Sequence, residues 1–259
     1  MAAKHDQTAW GAVLTRLSGV STAATAAPTA AVVVLAAGSG SRVGAEVNKI
    51  LLPLAGRPVL AWSVLTALEV PGVDPVVVVH RPGERADVGA ALLPVIGERD
   101  VLLVEGGATR QDSEQAALAA LAPRVGDGSI DVIAVHDGAR PLASVALFEA
   151  TIATAREHGG AVPTHELAGL LPRDPTAAPA PGGTGTRLVG VATPQAFRAA
   201  PLLEAYRAAA AAGFDGTDTA AAFALFAPAE NEVRAVPSGP GNLKVTFAED
   251  LQVAERLLS

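Results

Sequence analysis

From Ala31 onward the chain alternates between short apolar, β-branched runs and longer segments rich in alanine and leucine. The runs AVVVLA (31–36), DPVVVVH (74–80), DVLLVEGG (100–107) and DVIAVHDG (131–138) stay apolar through their centres, the pattern of strands buried on both faces. Between them, VLAWSVLTALEV (59–70), a segment around 84–93 and RQDSEQAALAALA (110–122) show helical spacing of apolar positions. Strand, helix and strand repeating at roughly 25- to 30-residue intervals predicts βαβ units, and hence an α/β fold with a parallel sheet covered on both faces. Ligands on such sheets sit at the carboxyl ends of the strands. Three loops there carry polar chemistry: 36–49, 105–113 and 136–141.

The regularity breaks after about residue 164. LAGLLPRDPTAAPAPGGTGTRLVG (167–190) is rich in proline and glycine, consistent with two strands of an arm joined by a loose loop or with disorder. Helical periodicity returns at PLLEAYRAAAAAGF (201–214), with the alanines 208–212 as a helix face. A strand-like EVRAVPSG (232–239) and a closing helix FAEDLQVAERLLS (247–259) follow. Residues 1–30 read as a flexible extension with one short amphipathic helix and an Ala/Thr tail, and 31–259 as a single domain with its arm at about 165–191. In the extension Lys4 is followed by Asp6, and Thr15, Arg16 and Ser18 break the apolar stretch, which is unlike a signal peptide. No apolar run is long enough to span a membrane.

Composition narrows the chemistry. The chain contains no cysteine, which excludes thiolate catalysis, zinc–cysteine sites and disulfides and fits a reducing, cytoplasmic setting. A net charge of −7 argues against a nucleic-acid surface. Of the 19 basic residues only three are lysines, Lys4, Lys49 and Lys244. Two of these three fall in motif-like positions, which suggests that a compact ammonium is wanted there.

VLAAGSGSRVGAEVNK (34–49) follows the first strand. It lacks a third glycine for the dinucleotide fingerprint, since Val43 stands there, and His80 replaces the expected ribose-binding acid. It lacks the glycine–lysine pair of a P-loop as well. What remains is a turn whose amides can cradle phosphate, with Arg42 and Lys49 as two cations, or else a tight turn with two solvated cations. VHDGARP (135–141) favours the first: an acid and an arginine at the tip of a buried strand are costly without a ligand or metal. EGGATRQDS (105–113) adds glycines and a serine at another strand tip, with Asp112 or Ser113 expected near the cap of a helix. GNLKVT (241–246) sets Lys244 beside a strand. His136 is read as a hydrogen-bonded structural group.

In these motifs the chain resembles the 2-C-methyl-D-erythritol 4-phosphate cytidylyltransferases of the non-mevalonate isoprenoid pathway, from about Ala31 to Leu258. The family's Ala-Ala-Gly-x-Gly-x-Arg and following lysine are matched by Ala36 to Arg42 and Lys49. Its Gly-Gly-x-x-Arg-x-x-Ser is matched by Gly106, Gly107, Arg110 and Ser113, and its His-Asp-Ala-Ala-Arg-Pro by His136 to Pro141, with Gly138 for the first alanine. Thr193 to Phe197 match Thr-Pro-Gln-x-Phe, Thr217 and Asp218 match a Thr-Asp at a helix start, and Asn242 to Thr246 match Asn-x-Lys-(Val/Ile)-Thr.

The resemblance implies a Rossmann-like three-layer nucleotidyltransferase fold with a mostly parallel sheet and a protruding β-arm. It also implies transfer of CMP from CTP to a phosphorylated polyol, assisted by Mg²⁺, in a homodimer joined through the arm. Ala36, Ala37, Gly38, Ser39 and Gly40 would hold the triphosphate. Gly106, Gly107 and Ser113 would read cytosine, with Arg110 and Gly138 also on the nucleotide side. Asp137 would sit by the ribose and bind the metal, and Arg42, Lys49 and Lys244 would neutralise charge at the α-phosphate. Arg140, Thr193, Thr217 and Lys244 would face the acceptor phosphate.

The departures fall on the acceptor side. Ala168 and Gly169 stand where the family carries Asp-Thr, a family arginine has no counterpart near Gly185, and Thr219 replaces the second acid after Thr-Asp. Arg173 and Arg187 are candidates to compensate. The alternatives to methylerythritol phosphate as acceptor are therefore another polyol such as ribitol 5-phosphate, or CTP binding with little catalysis.

Overall fold

The computed structural model describes residues 15–16, 28–38, 48–167, 189–239 and 241–259. In chain order its elements begin with β1 (Thr15–Arg16), β2 (Thr29–Leu35), a 3₁₀ turn (Lys49–Leu51), β3 (Pro53–Leu54), β4 (Arg57–Pro58), α1 (Val59–Glu69), β5 (Val73–His80) and α2 (Arg85–Ile96). Next come β6 (Leu102–Glu105), α3 (Arg110–Gly126), β7 (Ile130–Asp137), α4 (Val145–His158) and β8 (Gly159–Glu166). The last are β9 (Val189–Val191), β10 (Gln195–Arg198), α5 (Ala199–Ala211), α6 (Thr219–Phe226), β11 (Glu232–Pro237) and α7 (Ala248–Leu258).

The sheet runs β1-β6-β5-β2-β7-β10-β8-β11, with β9 paired to β8. Its centre, β6-β5-β2-β7, is parallel, as is β8 with β11, while β10 lies antiparallel between β7 and β8. The four predicted strands form this centre. Their two-residue alternation divides the core between the faces of the sheet. Val32, Val34, Val76 and Val78 pack with Leu60, Val64, Leu92 and Phe148 from α1, α2 and α4. Ala31, Val33, Val77 and Val79 pack with Leu121, Leu202, Tyr206 and Phe223 from α3, α5 and α6. The result is a three-layer α/β structure with a mostly parallel mixed sheet, as expected.

A smaller cluster of Leu54, Val59, Val245 and Ala254 seats the β3–β4 hairpin and α7 on the main body. It also anchors the segment around Lys244. That segment forms no strand of its own, and it lies beside β7 as expected: the Val245 amide donates to the Ala139 carbonyl at 2.8 Å and Lys244 Nζ to Asp137 Oδ2 at 2.8 Å.

Within the predicted extension, Thr15 and Arg16 form an edge strand antiparallel to β6; the rest of it up to residue 27 lies outside the described residues. Asp112 stands near the cap of α3 as expected: the cap itself is Thr109, which accepts the Asp112 amide at 3.0 Å while Asp112 accepts the Thr109 amide at 3.0 Å, a reciprocal capping box. At the arm, Thr164 to Glu166 of β8 pair with Val189 to Val191 of β9. Its outer part, including Ala168, Gly169, Arg173, Gly185 and Arg187, lies outside the described residues.

Candidate functional site

The parallel strands end together on one side, where a cavity of about 460 Å³ opens. Ala36, Ala37 and Gly38 form one wall, continuing from the tip of β2. The Gly38 carbonyl is held by the Arg81 guanidinium, with Nε at 3.1 Å. Ser39, Gly40 and Arg42 lie outside the described residues. Where the chain resumes, the Asn48 amide donates to the Ala36 carbonyl at 3.3 Å and to Glu84 Oε2 at 2.8 Å. These bonds bring the 3₁₀ turn back to the tip of β2 and place Lys49 in the cavity wall.

The β6–α3 loop also walls the cavity, with Gly106 close against Ala37. Ser113 donates to the Thr109 carbonyl at 3.0 Å and accepts the Gly107 amide at 3.2 Å, so the helix start and the glycine loop are one unit. Both glycines are required by close approach. A Cβ on Gly106 would lie 2.7 Å from Ser113 Oγ, and one on Gly107 would lie 2.3 Å from the Asp112 Cβ. Gly107, Arg110 and Ser113 line the cavity, and Gly106 stands directly behind them. Gly138, at the tip of β7, is held against the β2 backbone, where a Cβ would meet the Leu35 carbonyl oxygen at 2.9 Å.

Asp137 is the electrostatic centre of the floor. Arg110 Nη1 donates to its Oδ1 at 2.6 Å and Lys244 Nζ to its Oδ2 at 2.8 Å, while Arg140 Nε lies 3.6 Å away. Burial alone would favour the neutral acid, but Arg110 and Lys244 hold the carboxyl well below the usual range. Arg110, Lys244 and Arg140 outnumber Asp137 and the Glu114 that also pairs with Arg110, which leaves net positive charge at the site, suited to a polyanion. Lys244 is the most exposed of the three, with its side chain 41% accessible, and lines the cavity.

Arg140 and Thr193 stand behind Asp137 and outside the cavity lining. Arg140 Nη1 donates to the Asn242 carbonyl at 2.8 Å, and the Asn242 amide donates to the Thr193 carbonyl at 2.9 Å. Thr193 Oγ1 accepts the Asp137 amide at 3.0 Å. Thr217 is exposed at the corner before α6, one residue ahead of the capping Asp218, whose carboxylate accepts the Ala221 amide at 2.9 Å.

His136 is fully buried against Phe148. Its Nε2 donates to the Arg140 carbonyl at 3.2 Å, and its Nδ1 accepts from Thr193 Oγ1 at 3.1 Å. That network fixes a neutral tautomer. Burial pushes its pKa down to about 4 from 6.5, so the unfolded chain gains a proton before the folded one does. Stability is therefore full above pH 6.5 and falls as pH drops from 6.5 toward 4, by up to about 3 kcal/mol. Denaturant melts at about pH 7.5 and about pH 5 check this: His136→Gln should flatten the fall, and an equally steep fall in the variant assigns it elsewhere.

Two residues of the RQDSEQ stretch prove more important than their sequence suggests. Gln111 Nε2 donates to the Phe214 carbonyl at 2.6 Å and its Oε1 accepts the Gly216 amide at 2.7 Å, tying α3 to the loop before α6. Glu114 is only 2% exposed and accepts from Arg110, Tyr206 and Thr219. The one signal available in the sequence is the i,i+4 spacing of Arg110 and Glu114.

Comparison with known proteins identifies the family. The family profile described as IspD, 2-C-methyl-D-erythritol 4-phosphate cytidylyltransferase, matches residues 30–259. A 2-C-methyl-D-erythritol 4-phosphate cytidylyltransferase of Cereibacter sphaeroides is 39% identical over 240 residues, covering 89% of this chain and 97% of the relative. One from a Synechococcus species is 35% identical over 232 residues, covering 86% and 94%. Among solved structures, the Thermus thermophilus enzyme of that name superposes with a TM-score of 0.65 at 29% identity, over 88% of this chain and 98% of that one. The 4-diphosphocytidyl-2C-methyl-D-erythritol synthase of Anaerococcus prevotii gives a TM-score of 0.73 at 26% identity, over 89% and 96%. This chain belongs to the 2-C-methyl-D-erythritol 4-phosphate cytidylyltransferase family.

Proposed function

We propose that the protein transfers the cytidylyl group of CTP to 2-C-methyl-D-erythritol 4-phosphate and releases pyrophosphate. The observation that carries this reading, beside family membership, is the Asp137 centre: a buried carboxylate ringed by Arg110, Lys244 and Arg140 at the floor of a cavity that Lys49 also lines.

An oxygen of the acceptor phosphate attacks the α-phosphorus of CTP, and the bond from that phosphorus to the bridging oxygen of the β-phosphate breaks. The monoester is already anionic at neutral pH, so no general base is needed. This agrees with a neutral, inward-bonded His136. Two anions must meet, however, and charge builds on the transferring phosphoryl group. Catalysis is then chiefly positioning and preorganised positive charge.

Lys49 and Lys244, which both line the cavity, supply that charge, joined in this reading by Arg42. The Ala36–Gly38 backbone and the following loop cradle the triphosphate, and Gly106, Gly107 and Ser113 enclose the base. Arg140, Thr193 and Thr217 belong to the acceptor side. Arg140 and Thr193 act in part by fixing Asp137.

Magnesium fits this donor set. Mg²⁺ on a nucleotide takes one or two carboxylates beside phosphate oxygens and water. Asp137 is the one carboxylate among the described residues lining the cavity, and an ionised carboxylate has about four lone-pair sites, enough for its cations and a metal. When bound, the ion would neutralise phosphate charge. Asp137 would hold it.

A homodimer joined through the arm belongs to the same reading. Support comes from the exposed Leu167, Val189 and Val191 at the base of the arm. A cytoplasmic setting is part of it too, in keeping with the cysteine-free composition.

The test is product identification by mass spectrometry after incubation with methylerythritol phosphate, Mg²⁺ and each of CTP, UTP and ATP. The cytidine diphosphate ester should form from CTP and disappear with a chelator. No ester from any nucleotide would overturn the reading, and unchanged turnover in excess chelator would overturn its magnesium part.

A further inference from the structure

The first five residues of α3 are all polar, and besides the capping Asp112 each of the other four serves a different part of the molecule. Arg110 reaches Asp137, Gln111 holds the loop at Phe214 and Gly216, Ser113 holds Gly107, and Glu114 faces α5 and α6. Glu114 joins two of these systems. Its Oε1 accepts from Arg110 Nε at 2.9 Å and from Thr219 Oγ1 at 2.9 Å, while Tyr206 donates its hydroxyl to Oε2. Thr219 is the first residue of α6, two positions beyond Thr217.

A carboxylate at this depth is expensive. Burial pushes the Glu114 carboxyl up, and Arg110 and the two hydroxyls pull it back. An apolar side chain here would pack without that desolvation penalty. The geometry therefore points to a positional use for the charge. Without it Arg110 would have Asp137 as its one remaining carboxylate, and Asp137 already serves Lys244 and Arg140.

We propose that Glu114 is a positioning residue that locks Arg110 onto Asp137 and, through Thr219, locks the start of α6 to the same point, holding the nucleotide and acceptor sides of the site in one register. This rests on the reading of the reaction above, and wild-type turnover is the separate check on that reading. The carboxylate acts without touching either substrate. Its influence passes along Asp137–Arg110–Glu114–Thr219, a chain of contacts of 2.6 to 2.9 Å.

Because Arg110 and Thr219 meet on the same oxygen, the charge can be returned from the other side of the contact. The experiment compares steady-state kinetics of wild type, Glu114→Gln, the double variant Glu114→Gln/Thr219→Asp, and Thr219→Val, with thermal melts of each. Loss of a residue that orients others in a site typically lowers activity about 10–100-fold. Glu114→Gln should fall in that range, with KM raised for both CTP and the acceptor. The double variant should regain most of the loss. A merely structural role would show as a lowered melting temperature, without the paired change in KM or recovery through Thr219→Asp.

Thr219→Val cuts only the tie to α6 and keeps the Arg110–Glu114 pair. It should raise the acceptor KM several-fold more than that for CTP, and it remains informative if Glu114→Gln does not fold. The proposal is overturned if Glu114→Gln or Thr219→Val is folded with wild-type kinetics. It is equally overturned if a folded double variant recovers nothing.

Discussion

Lys244→Ala should lower turnover by about 10²–10³-fold while leaving the fold nearly as stable as wild type. The rate loss follows from removing a preorganised cation aimed at developing phosphoryl charge. The small stability change follows from exposure. Lys244 Nζ lies 2.8 Å from Asp137 Oδ2, but its side chain is 41% accessible, so solvent screens the pair and its contribution is at most about 1 kcal/mol. Lys244→Arg should fall between the two, because guanidinium keeps the charge but spreads it over a plane. Pyrophosphate-release kinetics beside thermal melts check this. A variant with near wild-type turnover would remove Lys244 from the machinery, and a large loss of melting temperature would make it structural instead.

Asp137→Asn should show the opposite balance, with stability and activity lost together. Its partners differ from Lys244 in being enclosed: the Arg110 side chain is 27% accessible and that of Arg140 only 13%. Breaking a buried ion pair by removing one member typically costs about 3–5 kcal/mol, because a charge is left behind without compensation. Arg110 keeps Glu114, and Arg140 keeps the Asn242 carbonyl, which places the expectation near the lower end, about 3 kcal/mol. That corresponds to a melting temperature lower by roughly 10 °C. Turnover should fall by at least about 10²-fold, since the Arg110 and Lys244 donors lose their common anchor. Calorimetry and rate measurements on the same preparation decide it. Unchanged stability would mean that the three cations do not depend on Asp137 for their placement.

The contrast between these variants reflects what the sequence could and could not convey. Strands β2, β5, β6 and β7 are legible because a strand buried on both faces is apolar through its centre. β8 is not legible, because Gly159, Gly160 and Pro163 disguise it. The structure explains both glycines: Gly159 has φ +111° and a Cβ there would lie 2.7 Å from the Asn231 Cβ, while a Cβ on Gly160 would sit 2.9 Å from the Phe197 ring of the neighbouring strand. β10 has four residues, too few to show a period, yet it carries the chain past Thr193 and so sets Asp137 in place.

At the site, motifs placed Lys49, Lys244, Asp137 and the glycine loop together around the strand tips, since each motif is local. Glu114 was hidden for the opposite reason. RQDSEQ has the composition of a solvated helix start, and the partners that bury its glutamate, Tyr206 and Thr219, lie 92 and 105 residues away. Thr219 reads from sequence as a lost acid. In the fold it touches an acid supplied by another helix.

The departures from the family pattern fall on the acceptor side. The deciding measurement is the kcat/KM for pyrophosphate release from CTP and Mg²⁺ with methylerythritol phosphate, ribitol 5-phosphate, glycerol phosphate or no acceptor. Release should be fast with methylerythritol phosphate and at least about 10²-fold slower with the others, the discrimination expected when polar groups built for one substrate are left unpaired by another. Preferred release with ribitol or glycerol phosphate, or no release with any acceptor despite CTP binding, would contradict the account.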